Sequence, residues 1–135
     1  MRFLVDTSAL VRLQRNQAAA AWDDVVERGL IVVCEPVLAE AMSIADAKGY
    51  EAIEERILAL YPWAAIPDDI WSLVSAIRHE LILPSVYQGV SVADLVVAAT
   101  AIRLKLVVLH EDGDFETIAR HVPELRQQRV SVEPG

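Results

Sequence analysis

Short apolar runs alternate along the chain with longer segments of mixed polarity. The clearest runs are residues 2–5, Leu30–Cys34 and Leu106–His110, which are rich in Val, Ile and Leu. Continuous apolar runs of this length, rather than alternating ones, are typical of strands buried on both faces. A shorter run at Val130–Val132 predicts a last strand.

The segments between these runs carry helix signals. Pro36 stands where a helix accepts proline, in its first turn, and Gly29 and Gly49 stand where helices end. Pro84 and Gly89 indicate a loop over 83–90. The predicted helices cover residues 8–14, 17–28, 36–48, 50–60, 68–82, 91–105 and 115–122.

Apolar strands that alternate with helices predict an α/β fold: a three-layer α/β/α sandwich around a central parallel sheet. The 135 residues fit one domain, residues 1–135, and contain no repeat or linker. In such folds the functional site lies at the carboxyl ends of the strands. That edge is therefore where candidate chemistry should be sought.

Acidic residues recur at this edge. Asp6 directly follows the first strand, and Asp112 follows the third, with Asp114 two residues on. Glu40 lies in the helix after the second strand, and Asp94 lies in the first turn of the helix that precedes the third. Carboxylates brought together in this number repel one another unless cations intervene, and hard oxygen ligands suit Mg²⁺ or Mn²⁺.

Each acid also has a purely structural interpretation. Asp6 could cap the helix that follows it, and Ser91–Asp94 has the form of a capping box. Glu40 could be a solvated helix residue, although its neighbours are apolar, and Asp112 and Asp114 could be turn formers. The recurrence of acids at one edge is more specific than any single position.

The charge balance limits the partners. With a net charge of −8, the chain has no general basic patch to bind phosphates, so nucleic acid binding requires local neutralisation, for example by metal ions. Cys34 is the single cysteine and is expected to be a buried small hydrophobe. The longest uncharged stretch, Leu81–Ala93, contains a proline and a glycine and is shorter than the roughly 18 apolar residues of a membrane span. The start has no signal-peptide pattern, so a cytoplasmic location without membrane association is expected.

Other polar residues are given supporting roles. Thr7 and Ser8 are expected to hydrogen-bond Asp6 or backbone amides at the helix start. The three histidines lack zinc-ligand spacing, and His110 is expected to pack beside the site.

Four segments carry a resemblance to a known family. They are Phe3–Leu10, Pro36–Glu40, Val92–Ala101 and Leu109–Phe115. In order, spacing and total length they resemble the PIN-domain family, specifically VapC-type toxins of bacterial toxin–antitoxin pairs, over essentially the whole chain. The resemblance implies a Mg²⁺-dependent (or Mn²⁺-dependent) endoribonuclease that hydrolyses RNA phosphodiester bonds, a cognate antitoxin protein and a homodimer.

Matched residue by residue, the resemblance assigns catalytic and metal-binding positions to four acids, a fifth metal position to Asp114, and a supporting hydroxyl to Thr7 or Ser8. The four acids are Asp6, Glu40, Asp94 and Asp112. The division of roles between Asp112 and Asp114 stays open. Candidates for binding substrate phosphates are Arg12, Arg15, Arg78 and Arg103.

Two other functions remain alternatives. A phosphohydrolase with an aspartyl nucleophile requires a second carboxylate two residues after the first, where this chain has Ser8. A receiver-like signalling module requires a lysine at the end of a late strand, but Lys105 precedes its strand and Lys48 is far from one. The sequence disfavours both.

Apolar side chains on the helices around Ala18–Val26 and Ile53–Trp63 predict a groove for an antitoxin helix. The residues expected to be exposed there are Trp22, Leu60, Tyr61 and Trp63.

Overall fold

The computed structural model describes residues 1–135 as a four-stranded, all-parallel sheet with order β2-β1-β3-β4. The strands are β1 Phe3–Val5, β2 Ile31–Val32, β3 Val107–His110 and β4 Gln127–Arg129. In the register, Phe3 pairs with Ile31 on one side and with Val107 on the other. The two central strands, β1 and β3, therefore end side by side.

Seven helices connect and cover the strands. They are α1 Thr7–Gln14, α2 Trp22–Glu27, α3 Glu35–Met42, α4 Tyr50–Leu60, α5 Ile70–Glu80, α6 Val92–Leu104 and α7 Gly113–His121, with a 3-10 turn at Tyr87–Gly89. None of these helices has both the length and the apolar character needed to cross a membrane.

Every residue of β1, β2 and β3 is buried. Since successive side chains of a strand point to opposite faces, helices must cover the sheet on both sides. The predicted three-layer α/β/α architecture is thereby confirmed. Helix α6 has the longest continuous buried segment, Leu95–Ala101, and it packs against α3, α5 and β3. This packing brings the first turn of α6 to the carboxyl ends of the strands.

Two helices are shorter than predicted by five residues or more. Helix α2 begins at Trp22 instead of residue 17, because the Gln17 amide bonds back to the Arg12 carbonyl and closes the preceding helix. Helix α3 ends at Met42 instead of residue 48, where the Ser43 hydroxyl donates to the Glu40 carbonyl at 2.7 Å. Such a local bond competes with helix continuation. Gly29, with φ +70°, follows α2 as predicted.

The last strand was placed wrongly. It is Gln127–Arg129, which pairs with Val108–His110 of β3, and not Val130–Val132. An apolar pattern was the wrong signal here, because β4 is a half-buried edge strand whose polar side chains hydrogen-bond His110, the Glu133 carbonyl and Glu116. Val132 is largely exposed.

Two residues of the predicted antitoxin groove are core residues. Trp22 is fully buried, with its ring edge-on to Phe3 at 5.1 Å between centroids and its Nε1 donating to the Val132 carbonyl. Tyr61 is buried and its hydroxyl accepts from Gln14. Buried tryptophan and tyrosine side chains usually satisfy their polar atom in this way. Leu60 and Trp63 are exposed, as predicted.

Candidate active site

Three carboxylates meet where β3 ends and α6 begins. Each of Asp94, Asp112 and Asp114 offers an oxygen within 4.8 Å of the other two. Asp94 is held by the first turn of α6, whose N-cap Ser91 accepts a hydrogen bond from the Asp94 amide at 3.1 Å. Asp112 follows β3 and caps α7 by accepting from the Asp114 amide at 3.0 Å. Helix capping and carboxylate clustering thus occur together at this edge.

The cluster concentrates negative charge. Burial raises the pKa of Asp94 to about 7, and the charges of Asp6, Asp112 and Asp114 add to the rise. Burial and the charge of Asp112 also raise the pKa of Asp114. Carboxyl groups that resist ionisation in this way are favourable sites for a cation, which removes the repulsion.

Asp6 lies beside this cluster at the end of β1 and is 4% exposed. It caps α1, and its Oδ2 accepts from the Ser8 amide at 3.2 Å and from the Ser8 hydroxyl at 2.7 Å. The Ser8 hydroxyl in turn accepts from the Glu111 amide at 2.9 Å, which ties the ends of β1 and β3 together. Burial raises the pKa of Asp6, although the hydrogen bonds from Ser8 oppose the rise.

Glu40 stands at the outer side of Asp6. It projects from the exposed side of α3, where its Oε1 accepts a hydrogen bond from the Thr7 hydroxyl. Its charge contributes to the raised pKa of Asp6. Of the five acids singled out from the sequence, three therefore form a compact cluster, while Asp6 and Glu40 adjoin it without belonging to the same compact group.

The structure adds two residues of β4 that the sequence did not indicate. Gln127 Oε1 lies 2.6 Å from His110 Nε2, and His110 Nδ1 accepts from the Asp112 amide at 3.0 Å. His110 was expected only to pack beside the site. Arg129 binds Glu116 through two nitrogens, at 2.6 and 3.1 Å, and Glu111 through a third at 3.0 Å. The polar strand β4 gave no apolar pattern that could have signalled either contact.

The arginines proposed from the sequence are mostly engaged elsewhere. Arg103 pairs with Asp69 at 2.6 Å, and Arg78 donates to the Ser75 hydroxyl. Arg12 contacts a residue that adjoins the site, since its Nη1 donates to the Ser8 carbonyl at 2.9 Å.

The alternative functions find little support in this geometry. Lys105 caps the carboxyl end of α6, before the amino end of β3, and so lies at the opposite end of the strand from Asp112. Ser8 binds the Asp6 carboxylate and supplies no second carboxylate. Cys34 is buried, as predicted, and burial raises the pKa of its thiol to about 11, which disfavours a nucleophilic thiolate.

Comparison with known proteins identifies the family of this chain. The family model described as PIN domain matches residues 3–121. Ribonuclease VapC6 of Mycobacterium tuberculosis is 34% identical over 98 residues, which are 72% of this chain and 77% of the relative. The structure of VapBC2 from Rickettsia felis, bound to a DNA fragment from their promoter, superposes with a TM-score of 0.75 at 17% identity and covers 96% of this chain and 98% of that one.

A toxin–antitoxin complex from Klebsiella pneumoniae superposes with a TM-score of 0.64 at 18% identity, over 90% of this chain and 93% of that one. At this identity the two solved structures show a shared fold. The family model and the sequence relative show the family as well as the fold. The family model spans residues 3–121, and the relative is 34% identical over 72% of this chain and 77% of its own length. The chain belongs to the PIN-domain family.

Proposed function

We propose that this protein is a divalent-metal-dependent endoribonuclease, the toxin of a toxin–antitoxin pair, and that Asp6, Glu40, Asp94 and Asp112 are its catalytic residues. The observation that carries the proposal is the cluster of Asp94, Asp112 and Asp114 within 4.8 Å at the carboxyl edge of the sheet. The relatives named ribonuclease VapC support RNA as the substrate.

The donor set fits Mg²⁺ or Mn²⁺. Asp94, Asp112 and Asp114 supply carboxylate oxygens, the ligands that both ions prefer, and Asp6 is near enough for its charge to raise the pKa of Asp94. A bound ion would lower the pKa of water and stabilise negative charge that develops on a phosphate. It would also allow a chain of net charge −8 to hold a phosphodiester.

The side chains around the cluster have definable roles. Ser8 orients the Asp6 carboxylate by two hydrogen bonds, and Thr7 donates to Glu40 from the neighbouring position. Two hydroxyl groups therefore support the acids: that of Ser8 binds Asp6, and that of Thr7 binds Glu40. The pKa of about 7 for Asp94 applies to the site without metal, and a bound cation would favour the ionised carboxylate that serves as a ligand.

The test is RNA cleavage by the purified protein with Mg²⁺ or Mn²⁺, followed by sequencing of the 5′ ends of the products. We expect cleavage that EDTA abolishes and that returns when the metal is added back. Cleavage that continues undiminished in EDTA would contradict the metal requirement, and absence of cleavage of total cellular RNA with either ion would contradict the nuclease assignment.

We propose an antitoxin helix as the occupant of an apolar groove between α1, α3 and α4. The groove has a volume of about 210 Å³, and its walls include Val11, Ile44 and Ile53. The solved toxin–antitoxin and VapBC complexes of this fold support such a partner. Co-purification with the small protein encoded beside the gene should be lost in Ile53→Glu and retained in Leu83→Glu, which changes an exposed residue elsewhere. Equal capture of both variants would contradict the placement.

We also propose a homodimer. The apolar surface formed by Trp71 and Val92, which are 61% and 65% exposed, is the face that association would cover. Sedimentation should show a dimer for the native chain and a monomer for Trp71→Glu. A monomer at high concentration for the native chain would contradict the proposal.

A further inference from the structure

His110 connects the core of the protein to the turn that carries Asp112 and Asp114. It is the last residue of β3, it is fully buried, and both of its ring nitrogens are engaged. Nδ1 accepts from the Asp112 backbone amide at 3.0 Å, and Nε2 lies 2.6 Å from Gln127 Oε1 of β4. The ring also packs against Phe115, with 5.3 Å between centroids. Three contacts therefore fix the position and the orientation of one imidazole.

The hydrogen-bond partners select one tautomer. A backbone amide can only donate, so Nδ1 must present its lone pair to Asp112. The ring proton then sits on Nε2, where Gln127 Oε1 accepts it. The other tautomer would direct an N–H of the ring at the N–H of Asp112, which is repulsive. Gln127 thus stabilises the tautomer in which His110 accepts from Asp112.

The Asp112 peptide is the point from which two acids of the cluster are placed. Its amide is held by His110, and its side chain accepts from the Asp114 amide at 3.0 Å. Rotation of this peptide would therefore move the Asp112 carboxylate, and the Asp114 amide bonded to it, relative to Asp94. A side chain that holds a ligand-bearing segment in this way controls metal affinity without touching the metal.

We propose that His110, held in its Nε2-protonated form by Gln127, is a positioning residue that sets Asp112 and Asp114 for binding a divalent cation with Asp94. The inference rests on the proposed metal-dependent function. It differs from core packing in one respect: packing requires only the volume of the imidazole, whereas positioning requires an acceptor at the place of Nδ1.

Two substitutions separate volume from hydrogen bonding. His110→Asn retains an acceptor near the position of Nδ1, and His110→Leu replaces the ring with an apolar side chain. We expect His110→Leu to weaken Mn²⁺ binding by about 10- to 100-fold, as is typical for residues that hold metal ligands, and His110→Asn to restore most of that loss. The readout is the Mn²⁺ dissociation constant from calorimetry, with the melting temperature of the metal-free protein recorded alongside.

A second pair keeps the test informative if His110→Leu does not fold. Gln127→Leu removes the acceptor of the Nε2 proton, while Gln128→Leu alters the next residue of the same strand, whose side chain binds the Glu133 carbonyl instead. We expect weaker Mn²⁺ binding, by about 10-fold, in Gln127→Leu alone. Nitrogen NMR of the ring in metal-free protein should show a protonated Nε2 and an unprotonated Nδ1, with a mixture of tautomers in Gln127→Leu.

The outcomes are distinct. If the native protein binds Mn²⁺ and His110→Leu or Gln127→Leu binds it equally well, the inference is wrong while the proposed function stands. Equal loss of affinity in His110→Asn and His110→Leu also overturns it, because the retained acceptor would then have no effect, and so does a ring proton on Nδ1. A native protein that binds no Mn²⁺ overturns the proposed function and the inference together.

Discussion

The segment 111–116 contains two groups of acids that have opposite electrostatic environments. Asp112 and Asp114 face Asp94, and the pKa of Asp94 and of Asp114 is raised, first by burial and then by neighbouring carboxylates. Glu111 and Glu116 bind Arg129. Burial acts to raise the pKa of Glu111, but hydrogen bonds from Ser131 and Arg129 outweigh it, and the Arg129 hydrogen bond lowers the pKa of Glu116.

The difference shows what distinguishes a structural acid from a candidate ligand. Glu111 and Glu116 receive their cation from the chain, in an arrangement where two guanidinium nitrogens bind one carboxylate. The three aspartates cluster with one another, and the charges that raise the pKa values of Asp94 and Asp114 come from other acids. A cation from solution would therefore stabilise the aspartates and gain little at the glutamates, and this contrast can be tested directly.

The largest expected effect is on activity. Asp94→Asn keeps the shape of the side chain and removes its charge, so we expect RNA cleavage to fall by at least about 100-fold, the upper range for residues that only support metal ligands. The measurement is the initial rate of cleavage in excess Mn²⁺.

Glu116→Gln is the matched control, since it removes a carboxylate of the other group from the helix that carries Asp114. Its rate should remain within several-fold of the native rate. Full activity in Asp94→Asn would show that the compact aspartate cluster is not the catalytic centre.

Metal-induced stabilisation should follow the same division. A cation that binds only the folded protein stabilises it by about 2.7 kcal/mol at one hundred times its dissociation constant. For a chain of 135 residues this corresponds to a rise in melting temperature of roughly 8–10 °C. Thermal melting with EDTA and with excess Mn²⁺ measures the rise, which should nearly vanish in Asp94→Asn and persist in Glu116→Gln. A rise of equal size in both variants would remove the distinction between the two groups.

The sequence predicts the aspartate cluster better than it predicts the ion pairs of Arg129. Apolar runs locate β1, β2 and β3, because central strands of a parallel sheet are buried on both faces. The acids that follow these strands could therefore be assigned to one edge. Asp94 joins Asp112 and Asp114 because α6 begins at this edge of the sheet. The N-cap residue Ser91 marks that beginning in the sequence.

The ion pairs of Glu111 and Glu116 with Arg129 could not be predicted from the sequence. Four acids of similar type lie within residues 111–116: Glu111, Asp112, Asp114 and Glu116. Their types and spacing alone do not separate the candidate metal ligands from the ion-pair partners. Arg129 separates them, and it acts from an edge strand whose polar residues lack the apolar period that predicts strands. For the same reason Gln127, and with it the hydrogen bond that orients His110, could not be predicted.

The pH dependence of stability without metal should have opposite signs for the two groups. A raised pKa in the folded state means that folding favours the protonated carboxyl, so the contribution of Asp94 is present below about pH 4 and is lost as pH rises toward about 7. A rise from 3.8 to about 7 would correspond to about 4 kcal/mol, and screening of this half-buried group reduces the expected effect to about 1–2 kcal/mol, or roughly 4–7 °C.

The measurement is the melting temperature of EDTA-treated protein across this range, with Asp94→Asn as the comparison. The native protein should lose stability relative to the variant as pH rises, because the variant has no charge to develop at this position. Parallel curves for the two proteins would show that Asp94 ionises freely in the folded state.

The smallest expected effect is on the ion pairs of Arg129. Arg129→Met keeps much of the length of the side chain and removes the cation shared by Glu111 and Glu116, so the melting temperature near neutral pH should fall by about 2–4 °C, a modest change because these groups are partly exposed. The lowered pKa values of both glutamates mean that their pairing contributes above about pH 4.5 and is lost as pH falls through their folded-state values. The difference in melting temperature between Arg129→Met and the native protein should therefore narrow in acid, whereas the difference for Asp94→Asn widens toward neutral pH.

The Mn²⁺-induced rise in melting temperature should be retained in Arg129→Met, since Arg129 binds neither Asp112 nor Asp114. Loss of that rise would mean that the ion pairs also hold the aspartate cluster, and the two groups of acids would then be one cooperative unit.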